Sequence, residues 1–392
     1  MSNITRNLSI REEEQSGKRR MCMLMVTHAC NLCCCYCYET HKNDAYMSIE
    51  LAKEIIIQEA RLVNKDERFE ELQIDFMGGE PLMNFPLIKE IVEWLEGDAI
   101  NVPWICFAST NATLLTDDIK DWLIEHKESI MLGASYDGTS KMQSKNRGSE
   151  KYNIDLDFFC NLWPMQDFQM TISKETLPFL AEGILDVQRK GFEIFATLAQ
   201  GVEWTIEDAL LYREQLCILK NTYLTDTNIS PMNRLTRIVD VFNLDPTKRV
   251  QVQGCGSGLN MVTYDIDGNR YGCHMFTQVV LGKNKALKVD AVEWDKQGLM
   301  ADDFCKTCVL RSFCPTCPGF NYKYRGDFAN RDKRWCPMVL AEAITACEFQ
   351  IERIAMIDSL TKEDAEYAQA ALTAYNVLRQ LDIEKAQRPY MV

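Results

Sequence analysis

Five of the 17 cysteines in the 392-residue chain fall within eight positions, in the segment CNLCCCYC at residues 30–37. Thiolates bind soft and borderline metals, and neighbouring thiols can also form disulfide bonds. The segment is therefore compatible with a structural zinc site, a disulfide, or an iron–sulfur cluster. Within it, Cys30, Cys34 and Cys37 have the spacing C-x3-C-x2-C. Three thiolates from one short loop could hold three irons of a [4Fe–4S] cluster and leave the fourth iron open to a small molecule.

The zinc and disulfide interpretations of this segment explain less. A zinc site built from Cys30-x2-Cys33 and Cys34-x2-Cys37 has no residues between its two halves. Four ligands need such a spacer to surround one ion tetrahedrally. The N-terminal segment is charged and carries no apolar run, so we expect no signal peptide and a cytoplasmic protein. A dense disulfide framework is not expected in that reducing compartment, and an odd number of cysteines cannot pair completely.

A second group of seven cysteines lies towards the C-terminus, at Cys255, Cys273, Cys305, Cys308, Cys314, Cys317 and Cys336. It contains two C-x2-C pairs, as a zinc ribbon does. Only five residues separate these pairs, whereas the two knuckles of a ribbon are typically about 15–20 residues apart. Seven cysteines also exceed what one zinc ion needs. We therefore expect a small module that is held together by metal.

The overall charge restricts the partners. The chain has 57 acidic and 43 basic residues, for a formal net charge of −14. Phosphate contacts need a basic surface, so we expect no nucleic-acid partner. No run of about 18 or more apolar residues occurs, so we expect no membrane-spanning segment.

Apolar stretches alternate with amphipathic ones over the first half of the chain. Strands are predicted at 20–26, 72–77, 104–108, 130–135, 168–172 and 193–199, with helices between them that include starts capped by Ser48 and Thr116. The alternation predicts an α/β fold with a parallel sheet, in the form of a partial (β/α)6 TIM-type barrel, and a flat doubly wound sheet is the alternative. Two C-terminal helices are predicted at 337–357 and 361–381. The expected domains are an N-terminal lead at 1–19, the barrel at 20–245, a cysteine-rich module at 246–340 and C-terminal helices at 341–392.

Distinctive loops follow the second, third and fourth predicted strands, where α/β proteins place their chemistry. They are MGGEPL with Gly78, Gly79 and Glu80, STNATLLT with Asn111, and SYDGTSKMQSKNR from Ser135 to Arg147. Taken singly, each could be an ordinary turn, and an isolated arginine is usually a surface residue. Bare glycine backbone also allows close approach of a ligand, and a hydroxyl beside a guanidinium suits a carboxylate.

Together these segments resemble the radical S-adenosylmethionine (SAM) superfamily, through a C-x3-C-x-aromatic-C loop followed by GGEP, TN and Ser-x-Asp-Gly…Arg loops. The resemblance implies that Cys30, Cys34 and Cys37 hold a [4Fe–4S] cluster whose open iron chelates SAM. One electron then cleaves SAM to a 5′-deoxyadenosyl radical that abstracts hydrogen. It also implies that the cofactor is held by Tyr36, Gly78, Gly79, Glu80, Asn111, Ser135 and Arg147. Ala112 and Gln143 stand where the family usually has Gly and His.

The second cysteine group resembles the SPASM extension of this superfamily, which carries two auxiliary [4Fe–4S] clusters. The resemblance implies an outer cluster on Cys305, Cys308, Cys314 and Cys336, and an inner cluster on Cys255, Cys273 and Cys317. Three clusters in total are therefore expected. The family often has a further inner ligand between the first two, and this chain has no cysteine there. The resemblance therefore leads to the hypothesis that the inner cluster has an open iron that could ligate a substrate thiol.

The resemblance implies an enzyme that modifies a peptide or protein. We favour a maturase that forms thioether or carbon–carbon crosslinks in a ribosomally made peptide. The alternative is an anaerobic sulfatase-maturating enzyme, which makes formylglycine and has an Asp base after the cysteine that matches Cys273. His274 occupies that position here, as a candidate base or a structural residue. Either enzyme needs an electron donor such as flavodoxin or ferredoxin. A non-catalytic iron–sulfur or zinc scaffold would explain the cysteines but not the three loops.

Overall fold

The computed structural model of the protein describes residues 18–148, 154–236, 255–294, 303–306, 308–310, 313–314, 316–381 and 383. The strands are β1 (Arg19–Thr27), β2 (Glu71–Gly78), β3 (Trp104–Thr110), β4 (Ile130–Ala134), β5 (Phe168–Ile172), β6 (Ile194–Leu198), β7 (Met261–Tyr264) and β8 (Arg270–Tyr271). The helices are α1 (Ile49–Lys65), α2 (Phe85–Glu96), α3 (Asp117–Glu125), α4 (Ser140–Arg147), α5 (Leu156–Leu162), α6 (Leu180–Arg189), α7 (Ile206–Thr225), α8 (Asn233–Thr236), α9 (Gln278–Leu281), α10 (Asp303–Lys306), α11 (Pro318–Arg325), α12 (Trp335–Ala355) and α13 (Lys362–Leu378).

The main sheet has the strand order β4-β3-β2-β1-β7-β8, and all neighbours are parallel except β7 and β8. Every residue of the central strand β1 is buried, as expected for a parallel strand covered on both faces. The α/β class and the parallel sheet predicted from the sequence are confirmed. Because β1 to β4 are parallel, the loops that follow them emerge at one edge of the sheet.

The pairing of the strands differs in part from the expected sheet of six consecutive strands. Strands β5 and β6 pair with each other in a separate two-stranded sheet, and an isolated parallel bridge between Ser135 and Gln169 connects β4 to β5. Strand β7 lies in the region expected to form the cysteine-rich module, but it pairs with β1 in the main sheet. Pairing between strands far apart in sequence is a tertiary property, which local patterns do not encode.

The chain divides into two compact units. The first contains the described residues within Met1–Tyr136, Arg147–Gln169 and Gln253–Lys296, and the second those within Asp137–Asn146, Met170–Val252 and Gln297–Val392. In the second unit the two predicted C-terminal helices are present as α12 and α13, and α12 packs against α7, α8 and α13. A buried ion pair joins Arg234 to Glu342 at 2.9 Å, and the Tyr212 hydroxyl donates to the same carboxylate at 2.8 Å. Within the described part of the chain, no helix has the length and apolar character needed to cross a bilayer.

The five cysteines outside the two groups match no motif in the sequence, so we expect them to be small buried residues. Cys22, Cys106 and Cys347 are buried, which confirms the expectation for them. Cys160 and Cys217 are only half-buried, so the prediction was wrong there, because both lie on helices that expose one side to solvent. No cysteine among the described residues forms a disulfide bond.

Candidate functional site

The loop after β1 carries the first cysteine group. Cys30, Cys34 and Cys37 are half-buried, whereas Cys33 and Cys35 are exposed. The Cys37 backbone N–H donates to the Cys34 carbonyl at 3.1 Å, which closes a tight turn between those two residues. The burial pattern therefore separates the three expected ligands from the two cysteines that were expected to be neighbours.

Glu80 connects this loop to the loop after β3. Its carboxylate accepts hydrogen bonds from the Thr110 hydroxyl at 2.6 Å, the Asn111 backbone N–H at 2.7 Å and the Leu82 N–H at 3.1 Å. The Glu80 backbone N–H donates to the Ala29 carbonyl, next to Cys30, at 2.9 Å. Burial raises the pKa of Glu80, and these hydrogen bonds oppose that shift. In this structure Glu80 thus acts as a brace between loops.

The two glycines before Glu80 lie directly against the cysteine loop. A Cβ on Gly78 would collide with the Thr27 carbonyl, and one on Gly79 would collide with the Ala29 carbonyl and lie 2.9 Å from the Cys30 Cβ. Gly78 also has φ +149°, a conformation that favours glycine. From the sequence, the missing side chains at Gly78 and Gly79 were expected to make room for a ligand. In this structure they make room for the backbone carbonyls of Thr27 and Ala29.

Asn111 joins the cysteine loop from the other side. Its side-chain N–H donates to the Asn31 Oδ1 at 2.9 Å, and Asn31 donates to the Thr113 hydroxyl at 2.7 Å. The Thr113 hydroxyl in turn donates to the Asn111 Oδ1 at 2.6 Å, which closes a ring of amides and hydroxyl. Ala112 has φ +60°, so the residue that replaces the usual glycine adopts the left-handed conformation that glycine accommodates most readily.

Arg147 and Tyr36 meet beside the cysteine loop. The guanidinium carbon lies 5.6 Å from the Tyr36 ring centre, and the Arg147 side chain is buried. Its positive charge also acts on the buried carboxylate of Glu80. The Ser135 N–H donates to the Thr110 carbonyl at 2.8 Å, so Ser135 is fixed at the same edge of the sheet. A cation beside this loop suits an anionic ligand group.

Gln143, which stands where the family usually has His, forms a structural hydrogen bond. Its side-chain oxygen accepts from the Asp137 backbone N–H at 2.9 Å. Asp137 in turn accepts from the Asn146 side chain at 3.1 Å and from the Thr171 N–H at 2.9 Å. This buried network within the second unit fixes the turn that begins α4, the helix that ends at Arg147.

Lys42 is a charged neighbour of the cysteine loop that the sequence analysis did not identify. Burial lowers the pKa of Lys42, but the thiols of Cys37 and Cys30, together with Glu39, outweigh burial and raise it. Burial raises the pKa of Cys30, and Lys42 is among the groups that oppose this shift.

His28 links the end of β1 to two other segments. Its Nε2 lies 2.5 Å from a carboxylate oxygen of Asp265, and its Nδ1 lies 3.2 Å from the side-chain nitrogen of Asn43. The Asn43 oxygen accepts from the Ala45 N–H, which orients the amide so that its NH2 faces His28. The proton of a neutral ring is therefore on Nε2 and is donated to Asp265.

His274, the candidate base, follows Cys273 in a short 3₁₀ turn. Its ring centre lies 5.5 Å from that of Tyr38, which follows Cys37. Its Nδ1 is buried and has no hydrogen-bond partner among the described residues. Burial lowers the pKa of His274 to about 4. The ring is therefore neutral near pH 7, and its role remains a prediction.

The second cysteine group is only partly brought together within one unit. In the second unit, burial and the charges of Cys314, Cys308 and Cys305 together raise the pKa of Cys336 to about 12. The four expected outer ligands are therefore neighbours. Of the expected inner ligands, Cys255 and Cys273 belong to the first unit and Cys317 to the second.

The donor types of this group suit an iron–sulfur cluster. Cys305, Cys308, Cys314 and Cys336 offer four thiols, which is the ligand set that a [4Fe–4S] cluster normally takes. Among the described residues, no three His, Cys, Asp or Glu side chains are placed to hold one metal ion.

Three partners of the site were missed by the sequence analysis. Asn31 and Thr110 form hydrogen bonds with residues of the predicted site, and the thiols of Cys37 and Cys30 raise the pKa of Lys42. Asn31 directly follows a predicted ligand, and Thr110 precedes Asn111 in the quoted loop, so their positions alone were a usable signal. Lys42 gave no signal, since a single lysine in a loop is normally solvated.

Comparison with known proteins finds matches for parts of the chain. Residues 16–155 match the family model described as a 4Fe-4S single cluster domain. An uncharacterized protein of Methanocaldococcus jannaschii is 39% identical over 116 residues, a match that covers 30% of this chain and only 38% of that relative's length.

Two solved structures resemble the whole fold. One is anSMEcpe with bound AdoMet, with a TM-score of 0.60 at 15% identity over 90% of this chain and 98% of that chain. The other is SuiB of Streptococcus suis bound to the precursor peptide SuiA, with a TM-score of 0.54 at 15% identity over 85% of this chain and 79% of that chain.

These findings identify the class of fold. The chain has the fold of these two solved structures, an α/β fold with a parallel sheet, further helices and a cysteine-rich region. At 15% identity the structural likeness defines the fold, and the reaction has to be inferred from the site.

Proposed function

We propose that the protein is a radical SAM enzyme that modifies a peptide. The observation that carries the proposal is the braced loop of Cys30, Cys34 and Cys37, which is tied to neighbouring strand ends through Asn31 and Glu80. A zinc or electron-transfer scaffold would not need a buried arginine, a hydroxyl and a buried carboxylate at successive strand ends.

Each group has a defined task in this proposal. Cys30, Cys34 and Cys37 would hold the SAM-binding [4Fe–4S] cluster, which supplies the electron that cleaves SAM and so generates the hydrogen-abstracting radical. Arg147 and Ser135 would hold the SAM carboxylate, since a guanidinium offers a charged, fork-shaped donor set. Glu80 and Asn111 would keep the surrounding loops in register, and Tyr36 would shield the cluster from solvent.

The two auxiliary clusters and the domain boundaries remain part of the proposal. Cys305, Cys308, Cys314 and Cys336 would hold the outer cluster, and Cys255, Cys273 and Cys317 the inner one. The barrel would extend over 20–245, the cluster module over 246–340 and the helical end over 341–392. The proximity of the outer four thiols supports the first of these assignments.

The proposed substrate is a ribosomally made peptide, in which the enzyme would form a thioether or carbon–carbon crosslink in the cytoplasm. The fold shared with peptide-bound SuiB supports this choice. Electrons would come from a flavodoxin or a ferredoxin. A formylglycine-generating activity is the second candidate, favoured by the likeness to anSMEcpe over nearly that whole chain.

One experiment tests the proposal and separates its two forms. Anaerobically reconstituted protein is incubated with SAM, dithionite and either a Cys-containing precursor peptide encoded beside it or a sulfatase peptide. A crosslinked product supports the maturase, and an aldehyde that reacts with a hydrazine probe supports the formylglycine enzyme. Iron-loaded protein that forms no 5′-deoxyadenosine under any of these conditions would refute both.

A further inference from the structure

The two faces of the main sheet differ in burial. In β3, Cys106 and Ala108 are buried, whereas Ile105 and Phe107 keep part of their surface exposed. Successive side chains of a strand point to opposite faces of the sheet. One face is therefore closely packed, and the face that bears Ile105 and Phe107 still offers surface to a ligand.

The second of these faces is rich in methionine. Residues that are paired across parallel strands point to the same side of the sheet, so the strand register places six methionines on the side of Phe107. We call this side the methionine face, and its methionines are Met21, Met23, Met25, Met77, Met131 and Met261. Methionine is flexible and polarizable, and surfaces that bind varied peptides use it often. The face therefore suits the apolar side chains of a peptide.

One row across the methionine face carries two polar side chains. From β7 to β4, the residues in register are Thr263, Met23, Asp75, Phe107 and Met131. Adjacent strands are about 4.8 Å apart, so the Cα atoms of Thr263 and Asp75 lie roughly 10 Å apart with one strand between them. That separation allows the head group of one long side chain to contact both residues.

Thr263 indicates that this row takes a partner from outside the chain. Its side chain is fully buried, and its hydroxyl has no hydrogen-bond partner among the described residues. Buried polar atoms in folded proteins nearly always have such a partner, so each exception needs an explanation. A ligand group that reaches this hydroxyl would supply the missing hydrogen bond.

Asp75 determines the charge of that ligand group. Its side chain is buried, and its Oδ1 accepts from the Gln73 Nε2 at 2.8 Å. The Gln73 Oε1 accepts from the Arg19 guanidinium at 3.2 Å, which orients the amide so that its NH2 faces Asp75. A carboxylate offers about four acceptor sites, so Asp75 can accept further donors beside Gln73. Among peptide side chains, lysine and arginine form the strongest hydrogen bonds with a buried carboxylate.

The row lies at some distance from the cysteine loop. Met23 precedes the end of β1 at Thr27 by four residues, which corresponds to roughly 13 Å at about 3.3 Å per residue. A side chain held by Asp75 is therefore an anchor of the peptide, and a different residue of the peptide would lose hydrogen beside the cysteine loop. Asp75 and Thr263 thus determine which peptide is accepted and take no part in the bond changes.

We propose that the methionine face binds the substrate peptide, and that Asp75 and Thr263 select a lysine or an arginine in it. The inference rests on the proposed function, because it assumes that the substrate is a peptide. It adds the substrate class, which is a peptide that combines apolar side chains with a basic anchor. The formal net charge of −14 favours a basic partner in the same sense, since opposite charges steer association.

The test is a selection of displayed random dodecapeptides on the full chain, reconstituted anaerobically and saturated with SAM. Lysine and arginine should be enriched in the pool that the wild type binds, and not in the pool that Asp75→Asn binds. The enriched peptide, labelled with fluorescein, should bind the wild type about tenfold more tightly than a match with norleucine or citrulline at the basic position. Asp75→Glu keeps the charge and should restore the preference. Asp121→Asn changes an exposed carboxylate on α3, and this matched control should behave like the wild type.

Thr263→Val separates binding from folding. Valine shares the branched shape of threonine and lacks only the hydroxyl. The melting temperature should stay the same or rise, because the buried hydroxyl donates no hydrogen bond within the described part of the chain. The affinity for the basic peptide should nevertheless fall about tenfold. A lower melting temperature with unchanged affinity would show that the hydroxyl serves the fold, and would overturn its role in binding.

The outcomes separate this inference from the proposed function. Equal enrichment of basic residues by the wild type and Asp75→Asn, or the absence of any enriched peptide, overturns the inference. Should Asp75→Asn fail to fold, the affinity of Thr263→Val decides by the same tenfold criterion. Formation of 5′-deoxyadenosine is measured on the same preparation with and without the enriched peptide, and its absence in both refutes the proposed function. A basic preference that depends on Asp75 would still support the peptide site in that case.

Discussion

Substitution of Gly79 by alanine is the sharpest structural perturbation of the candidate site. Gly79 precedes Glu80, and an added Cβ would collide with the Ala29 carbonyl and lie 2.9 Å from the Cys30 Cβ. The φ angle of Gly79 is not among the positive ones, so the expected effect is a collision and not backbone strain. Neither neighbour is the flexible end of a side chain, so the loop itself has to move.

The expected loss of stability in Gly79→Ala follows from the backbone hydrogen bonds that are lost when the loop moves. The Gly79 N–H donates to the Thr27 carbonyl at 3.2 Å, and the Glu80 N–H donates to the Ala29 carbonyl at 2.9 Å. Losing both costs about 2 kcal/mol at about 1 kcal/mol each, and overpacking adds about 1 kcal/mol or more. We therefore expect a loss of about 3 kcal/mol in local stability, together with displacement of Cys30.

Gly191 provides a matched control of opposite character. It has φ +84°, and an added Cβ would meet nothing within 4 Å. Gly191→Ala should therefore cost about 1–2 kcal/mol through backbone strain alone and leave the cysteine loop intact.

The assay compares the two variants by thermal denaturation and by iron content after anaerobic reconstitution. Gly79→Ala should lose about four irons per chain relative to the wild type, the content of one [4Fe–4S] cluster, and Gly191→Ala should lose none. If Gly79→Ala keeps its full iron and melts like Gly191→Ala, the tight packing of this glycine against Cys30 is not what shapes the site.

Three further predictions concern single residues. Cys34→Ser should lose about four irons per chain, whereas Cys33→Ser should lose none because its thiol is an exposed neighbour; equal iron loss in both would contradict the ligand assignment. Arg147→Ala should weaken SAM binding by about tenfold or more, because a charge-assisted hydrogen bond is worth about 1.5–3 kcal/mol. Equilibrium dialysis measures this affinity, and an unchanged value would show that Arg147 does not bind SAM. Glu342→Gln should lower the free energy of unfolding of the second unit by about 3–5 kcal/mol, because it leaves the buried guanidinium of Arg234 uncompensated. Urea denaturation measures this loss, and a change below about 1 kcal/mol would show that the ion pair is dispensable.

Local patterns were sufficient for most of the elements that position the site. The strands β1 to β6 were predicted within about two residues at either end, and the caps at Ser48 and Thr116 are present, each accepting a backbone N–H. These features depend on apolar periodicity and on short-range hydrogen bonds, which neighbouring residues determine. The cysteine spacing likewise lies within one short loop.

Features that depend on distant partners were not predictable in the same way. The addition of β7 beside β1 joins segments more than 200 residues apart, and no local pattern specifies such a pairing. Gly78 and Gly79 leave room for the backbone of Thr27 and Ala29, and Glu80 braces two loops. Both roles depend on which part of the backbone lies opposite these residues in the fold.

The most direct test of the central claim is the formation of 5′-deoxyadenosine from SAM by anaerobically reconstituted protein with dithionite. We expect product from the wild type and from Cys33→Ser, and none from Cys34→Ser. Product from Cys34→Ser at the wild-type rate, or none from a wild type that carries about 12 irons per chain, would contradict the assignment of the loop at residues 30–37 as the SAM-cleaving site.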